Sequence, residues 1–183
     1  MPILKEITVK DFEAEAMPYF NDIFRTALRL MKNRSEAKNL IEEVYLQAWK
    51  SFRFYRPEIN SRAWLFKILF SKFNRYHQKN INFEFVEDGD DTLRNLDFIL
   101  GVVAKTLSNE EIFSCLEHIP PVFREPMLLA QIEEFSYKEI IEILDIPIET
   151  VIPSISQGRK LLGSEVMKLA DSYEVVLNEG FFV

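Results

Sequence analysis

The sequence predicts an all-α protein built from two helical domains that an acidic linker joins. Apolar residues recur at spacings of three and four through most of the first 80 residues and again after residue 108, which is the period of amphipathic helices. Residues 81–108 show no sustained period and are rich in Asp and Glu. Five glycines in 183 residues argue against a β-barrel, a β-sandwich and a phosphate-binding glycine loop. The predicted organisation is a first domain at 1–80, a linker at 81–108, a second domain at 109–170 and a tail at 171–183.

The first domain is predicted to contain three helices. Apolar residues from Phe12 to Met31 form the stripe of one helix, and Ser35 is the predicted N-cap of the second. The buried face of this second helix is predicted to consist of Ala37, Leu40, Ile41, Val44 and Ala48. A second line on the same helix is aromatic and consists of Tyr45, Trp49 and Phe52.

A proline-containing turn separates the second and third helices. Pro57 interrupts helical hydrogen bonding, and Asn60 or Ser61 is the predicted cap of a third helix that runs to about Gln78. The predicted core of this third helix consists of Trp64, Phe66, Phe70 and Phe73.

The second domain carries a helix-turn-helix pattern. Ser136 and Glu139 have the spacing of a capping box and open a short helix that ends at Leu144. A tight connection then leads to a helix from about Thr150 to Ala170. The linker contains a weakly helical piece at 93–107, and the apolar end of the tail is either a docking peptide or a packed terminus.

Charge divides the chain in the same way as periodicity. Residues 1–80 carry 15 Lys and Arg against 9 Asp and Glu, whereas residues 109–183 carry 5 against 14. A basic first part is compatible with nucleic acid, and an acidic second part favours a different partner. The alternative, two unrelated solvated surfaces, explains the change from a basic to an acidic part less well.

Several classes of protein are disfavoured. No stretch approaches the ~18 apolar residues of a membrane span, and the first ten residues lack an apolar signal core, so a cytoplasmic protein is expected. Cys115 is the single cysteine and cannot form an internal disulfide. His77 and His118 lie in no catalytic or metal-binding motif. We therefore predict no enzyme, no catalytic residue, no cofactor and no metal.

Cations and aromatic residues alternate around the predicted turn. Cations neutralise phosphates, and exposed aromatic rings stack on unpaired bases at about 1–3 kcal/mol each. This combination favours single-stranded or melting DNA. The cations are Lys50, Arg53, Arg56, Arg62, Lys67, Lys72 and Arg75, and the aromatic residues offered to bases are Phe54, Tyr55 and Trp64.

Two blocks of the sequence resemble a known family. NLIEEVYLQAWK (39–50) and SRAWLFKIL (61–69) are similar to region 2 of bacterial extracytoplasmic-function (ECF) sigma factors. IPPVFREPMLL (119–129), EFSYKEIIEIL (134–144) and GRKLL (158–162) resemble region 4 in the order that the family has.

The resemblance implies a subunit of RNA polymerase that recognises promoter DNA. Region 2 would bind the β′ clamp and open the −10 element, and region 4 would bind the β flap and read the −35 element. The clamp-binding residues that it implies are Asn39, Leu40, Glu42, Glu43, Leu46 and Gln47. It adds Asn60 and Ser71 to the residues that face the −10 strand.

The recognition helix departs from the family's pattern. The family typically has several Lys and Arg residues before Gly158–Arg159, but no cation lies between Ile152 and Gln157 in this chain. Phosphate contacts supply most DNA affinity, so duplex binding is expected to be weak. The helix residues left for DNA or protein contact are Thr150, Ser154, Ser156, Gln157, Arg159 and Lys160.

We therefore interpret the chain as an ECF-type sigma factor that a partner protein recruits to DNA. The partner is a DNA-bound activator or an RNA-guided DNA-binding protein. One alternative is a sigma mimic that sequesters an anti-sigma factor without initiating transcription. Another is a reader of an unusual −35 site through Ser154, Ser156 and Gln157.

Overall fold

The computed structural model describes residues 8–31, 33–55, 60–77 and 107–179, and all regular structure in these ranges is helical. The predicted linker up to residue 106, with its helical piece, and the tail end at 180–183 lie outside the described residues. The helices described here are α1 (Val9–Ala16), α2 (Phe20–Met31), α3 (Arg34–Ser51), α4 (Ser61–His77), α5 (Asn109–Glu117), α6 (Pro121–Gln131), α7 (Tyr137–Leu144) and α8 (Ile148–Glu179). None of them is long and apolar enough to cross a membrane.

The first predicted helix is in fact two helices. A 3₁₀ turn at Met17–Tyr19, with Pro18 as its second residue, separates α1 from α2. Proline lacks the amide hydrogen that would continue α1, so the helix ends at Ala16 although the apolar spacing runs on. The single helix predicted from Phe12 to Met31 is therefore wrong. Thr8 and Asp11 form the capping box that starts α1.

The start of α3 also differs from the prediction. Asn33 Oδ1 accepts hydrogen bonds from the amides of Ser35 at 2.8 Å and Glu36 at 3.4 Å, so Asn33 is the N-cap and Ser35 lies inside the helix. The predicted buried face is confirmed, because its members are between 0% and 5% exposed: Ala37, Leu40, Ile41, Val44 and Ala48.

Asn60 is the N-cap of α4, and it was one of the two residues predicted for this role. Its side-chain oxygen accepts from the amides of Arg62 at 3.0 Å and Ala63 at 3.4 Å. The predicted core aromatics Phe66, Phe70 and Phe73 are at most 1% exposed. The fourth, Trp64, is only partly buried.

The helices after residue 107 form a second group. The predicted capping box is confirmed at α7, where the Ser136 amide donates to Glu139 Oε2 at 2.9 Å and the Glu139 amide donates to Ser136 Oγ at 3.3 Å. Helix α8 begins at Ile148, earlier than the predicted Thr150, and continues to Glu179, past the predicted boundary at Ala170. Residues 171–179 therefore extend α8 and do not form a separate tail.

Close packing of α6 against α8 forms the centre of this group. Gly158 of α8 lies so near α6 that a Cβ atom there would be 2.6 Å from the Phe123 carbonyl oxygen and 3.0 Å from Met127 Cβ. Three apolar residues that precede the Pro120–Pro121 pair are also buried: Cys115, Leu116 and Ile119.

Candidate nucleic-acid and polymerase-binding surfaces

The turn after α3 presents an exposed aromatic ring. The chain forms a 3₁₀ turn at Phe52–Phe54, in which Phe52 is buried and Phe54 is 72% exposed. The Arg53 guanidinium lies 4.7 Å from the centre of the Phe54 ring. A cation held over an exposed ring offers a phosphate contact and a stacking surface at one place. Arg56, which was predicted to bind DNA here, lies outside the described residues.

Tyr55 anchors this turn to two helices. Its hydroxyl is 2.7 Å from Ser61 Oγ at the start of α4, and Ser61 Oγ donates to Glu15 Oε2 of α1 at 2.5 Å. The Tyr55 ring stacks on Phe52 with centroids 5.5 Å apart and lies 4.8 Å from Trp64. Burial raises the pKa of Tyr55, so its hydroxyl is a stable donor. Tyr55 and Trp64, both predicted to contact bases, support each other and leave Phe54 as the most exposed ring of the three.

The predicted DNA-binding cations differ in their surroundings. Arg62 is largely covered, with its Nε 3.3 Å from Asp22 Oδ2 and its guanidinium 5.0 Å from the Phe66 ring. Lys72 Nζ lies 3.9 Å from Glu43 Oε2. Arg62 therefore has a structural role between α2 and α4 in addition to any contact with DNA. The exposed cations of the set are Lys50, Arg53, Lys67 and Arg75, and the two polar residues predicted beside them, Asn60 and Ser71, are also exposed.

The residues of α3 that were predicted to bind the polymerase clamp form one surface, with one exception. Leu40 is 2% exposed and belongs to the core, so its assignment to the polymerase-binding surface is wrong. The physical reason is helical geometry, because Leu40 lies one turn from both Ala37 and Val44 on the buried face. Leu46 is 54% exposed and is the apolar centre of the remaining surface. The other members are Asn39, Glu42 and Gln47, which are exposed, and Glu43, which is half-buried.

An apolar groove borders this surface and was not predicted. It has a volume of about 430 Å³, and its walls come from α1, from the turn and first residue of α2 that follow it, and from Tyr45 and Trp49 of α3. Val9 and Met17 on one wall and Trp49 on the other are exposed by 41% to 56%. The Tyr45 hydroxyl donates to the Ala16 carbonyl at 3.1 Å, which leaves its ring to line the groove. The only sequence signal for the groove was the aromatic spacing on α3.

One of the contact residues predicted on α8 faces inward. Ser154 is 0% exposed, so it cannot contact a base without rearrangement, and its assignment as a contact residue is wrong. It shares the inner face of α8 with Val151 and Ile155. Ile152 is 50% exposed, and Pro153 is exposed beside it. The other predicted contacts are partly exposed: Thr150, Ser156, Gln157, Arg159 and Lys160.

Several charged residues of the second group are buried. Arg124 and Glu125 of α6 are each 6% exposed, and the Arg124 Nη1 donates to the Leu116 carbonyl at 3.4 Å. Burial lowers the pKa of Arg124, and the neighbouring Glu125 opposes that shift. Glu133, which follows α6 closely, is also buried at 7% exposed.

Two side chains with possible chemical reactivity, His118 and Cys115, lie in the part of the second domain that the structure describes. Within the described ranges, no three His, Cys, Asp or Glu side chains are placed to bind a metal ion. His118 is exposed, with Nδ1 2.9 Å from the Ser114 carbonyl and 3.6 Å from Glu165 Oε2. Burial raises the pKa of the Cys115 thiol, which makes it a weak nucleophile.

The comparisons with known proteins agree on a family. The model of sigma-70 region 2 matches residues 16–80, and the model of sigma-70 region 4 matches residues 109–162. The ECF RNA polymerase sigma-E factor of Haemophilus influenzae is 22% identical over 147 residues, which cover 75% of this chain and 78% of that protein. The ECF RNA polymerase sigma factor EcfG of Rhodopseudomonas palustris is 28% identical over 148 residues, which cover 75% of each chain.

A solved structure has the same fold. The sigma factor RpoE of Bartonella quintana, crystallised in complex with the anti-sigma factor NepR, superposes with a TM-score of 0.67 at 21% identity and covers 87% of this chain and 98% of its own. The region 2 match falls on the helices that carry the Phe54 turn and the α3 surface, and the region 4 match falls on the helix-turn-helix. The chain therefore belongs to the ECF sigma factors of the sigma-70 family, which act in transcription initiation.

Proposed function

We propose that this chain binds core RNA polymerase, opens the −10 element with its first domain, and depends on a partner protein for its placement on DNA. The proposed domains are 1–80 for promoter opening and 109–170 mainly for protein contacts. One observation carries the dependence on a partner: the helix-turn-helix has no Lys or Arg from residue 139 to residue 158. Because DNA affinity comes largely from phosphate neutralisation, such a surface holds duplex DNA weakly.

The first domain keeps what promoter opening needs. Phe54 offers an exposed ring, and Arg53 places a charge over it. Exposed cations on both sides of the turn continue this surface along α3 and α4. A melted base that stacks on Phe54 would gain about 1–3 kcal/mol, which helps to offset the unstacking of that base in the duplex.

Polymerase binding is assigned to the exposed face of α3. Leu46 supplies an apolar contact at its centre, and Glu42, Asn39 and Gln47 supply polar contacts around it. This arrangement fits the apolar centre and polar rim of protein interfaces. Region 4 would then bind the β flap together with the recruiting protein.

The dependence on a partner is tested by scrambling the −35 sequence. Target promoters are first located by chromatin immunoprecipitation of the tagged chain in its own cells. Each promoter is then fused to a reporter with its −35 segment or its −10 segment scrambled. A recruited sigma factor loses activity with the scrambled −10 element and keeps it with the scrambled −35 segment. Loss of activity with the scrambled −35 segment would show direct reading and refute recruitment.

The promoter-opening role is tested on the Phe54 turn. Phe54→Ala and Arg53→Ala in the reconstituted holoenzyme should slow open-complex formation, measured by permanganate reactivity of unpaired thymines. Arg34→Ala removes an exposed cation at the opposite end of α3 from the turn and serves as the control. Unchanged opening by both turn variants would contradict the role of this surface.

The sigma-mimic alternative makes a different prediction. A chain that only sequesters an anti-sigma factor would bind such a protein and would not form a holoenzyme with core polymerase. The Bartonella quintana relative was crystallised with an anti-sigma factor, so we include an anti-sigma factor among the proposed partners of this chain. Formation of a transcriptionally active holoenzyme excludes the mimic, and its failure would favour the mimic.

A further inference from the structure

The first two turns of α8 expose an apolar stripe where a DNA-reading helix would carry polar and basic residues. Ile148 is 39% exposed and Ile152 is 50% exposed, and they lie one turn apart on the same side of the helix. Glu149 and Pro153 occupy the adjacent positions and are exposed. We call these four residues the α8 stripe.

Pro153 makes this stripe different from an ordinary helix surface. Helix α8 begins at Ile148, and the amides of Thr150 and Val151 bond to the Pro147 carbonyl at 3.0 Å and 3.3 Å. Pro153 is therefore the sixth helical residue, past the first turn in which a proline costs no hydrogen bond. The helix gives up the bond from residue 153 to the Glu149 carbonyl and gains an apolar ring on its exposed side.

The segment that leads into the stripe is acidic. Glu149 lies within the stripe, and residues 139–158 contain four acidic residues and no Lys or Arg: Glu139, Glu142, Asp145 and Glu149. Such a surface repels phosphates and attracts cationic side chains. Isolated exposed isoleucines need no explanation, but Ile148 and Ile152 lie at helical spacing beside Glu149 and an exposed proline, which matches the anchors of a helix that binds in a groove.

We propose that the α8 stripe binds a partner protein through an apolar groove that is edged by Lys and Arg side chains. Ile148 and Ile152 would fill the groove, and Glu149 would pair with its basic edge. The inference rests on the proposed function, because it names the surface by which the recruiting protein holds the sigma factor. The proposed ligand of the α8 stripe is a protein, and the alternative that the test distinguishes is duplex DNA.

Substitution of Glu149 distinguishes a protein partner from duplex DNA, because the two predict opposite changes in promoter occupancy. We would measure occupancy of the full-length tagged chain at its target promoters by chromatin immunoprecipitation. Glu149→Lys should lower occupancy if the stripe meets a basic protein edge, and raise it if the stripe meets phosphates. Asp171→Lys, which makes the same charge change at an exposed position farther along α8, is the control and should leave occupancy unchanged.

The apolar contact has its own matched pair of variants. Ile152→Ser should lower occupancy by about tenfold, as expected when a buried anchor becomes polar. Met167→Ser changes another exposed apolar residue of α8, which is 44% exposed, and should have no effect. Binding of purified core polymerase by each variant shows that a loss of occupancy does not come from misfolding.

The outcomes also separate this inference from the proposed function. If scrambling the −35 segment leaves transcription intact but neither Glu149→Lys nor Ile152→Ser lowers occupancy, recruitment stands and the α8 stripe is not its site. If Glu149→Lys raises occupancy, the stripe contacts DNA and the inference is overturned. If scrambling the −35 segment abolishes transcription, the proposed function itself fails.

Discussion

Replacement of Gly158 by alanine should destabilise the second domain, although alanine is the better helix former. In an exposed helix, this change stabilises by about 1 kcal/mol. Here the new Cβ atom would lie 2.6 Å from the Phe123 carbonyl oxygen and 3.0 Å from Met127 Cβ. The nearest atom belongs to the backbone of α6, so a change of side-chain rotamer cannot relieve the contact.

The magnitude follows from these two opposing terms. Overpacking of a well-packed interior costs about 1–3 kcal/mol, and contact with a helix backbone lies in the upper part of that range. After subtraction of the propensity gain, we expect a net loss of about 1–2 kcal/mol in the free energy of unfolding. Such a loss corresponds to about a 5- to 30-fold larger unfolded fraction.

Hydrogen exchange of the full-length chain is the suitable assay, because it reports on α6 and α8 separately from the first four helices. Protection of α6 amides should fall by that factor in Gly158→Ala, while the amides of α3 and α4 keep theirs. Ser164→Ala, at an exposed position of α8, serves as the control and should not reduce protection. Unchanged or increased protection of α6 in Gly158→Ala would refute the close approach of the two helices.

The remaining predictions concern the first domain. Leu40→Ala should lower the free energy of unfolding by about 2–5 kcal/mol through loss of core packing, as measured by urea unfolding. Leu46→Ala should change it by about 0.5 kcal/mol or less but should weaken binding to core polymerase, as measured by surface plasmon resonance. Equal effects of the two variants on binding would contradict the assignment of the α3 surface. Burial raises the pKa of Tyr45 to about 12. The neutral phenol therefore stabilises the fold at pH values below its usual pKa of 10.0, and this contribution is lost as the pH rises toward 12. Tyr45→Phe should remove that part of the pH dependence of the free energy of unfolding. The same pH dependence in the variant and in the original chain would contradict this role of Tyr45. Glu15→Ala should slow open-complex formation, because Ser61 and Tyr55 lose the carboxylate that holds their hydrogen bonds in place. Glu15→Gln should retain most of the rate, because its amide oxygen still accepts from Ser61. Equal rates for the two variants would argue against a positioning role for Glu15.

The sequence predicted helices well where a local signal was complete. The capping box at Ser136 and the cap at Asn60 are contacts within three residues of each other, so residue type and spacing determine them. The predictions failed where two local signals competed. Apolar periodicity continued through Pro18 although hydrogen bonding could not, and Asn33 took the capping role that Ser35 was equally able to play.

The candidate site was also predicted correctly in some features and wrongly in others. Composition and spacing alone indicated the basic and aromatic turn, the acidic second domain and the lack of a cation between Ile152 and Gln157, because these are properties of residue type. Which side of a helix faces outward depends on its neighbours. Leu40 and Ser154 were both assigned to binding surfaces, and both are buried, because packing against other helices fixes the rotation of α3 and of α8.

The sequence by itself thus determined the helical class, the two blocks with opposite charge and the sigma-factor resemblance, since each depends only on the order and type of residues. Only the tertiary structure decided that Phe54 stands out from the first domain, that an apolar groove borders α3, and that Ile148 and Ile152 are exposed on α8. These are properties of surfaces, and a surface exists only after non-local packing has removed the rest of the chain from water.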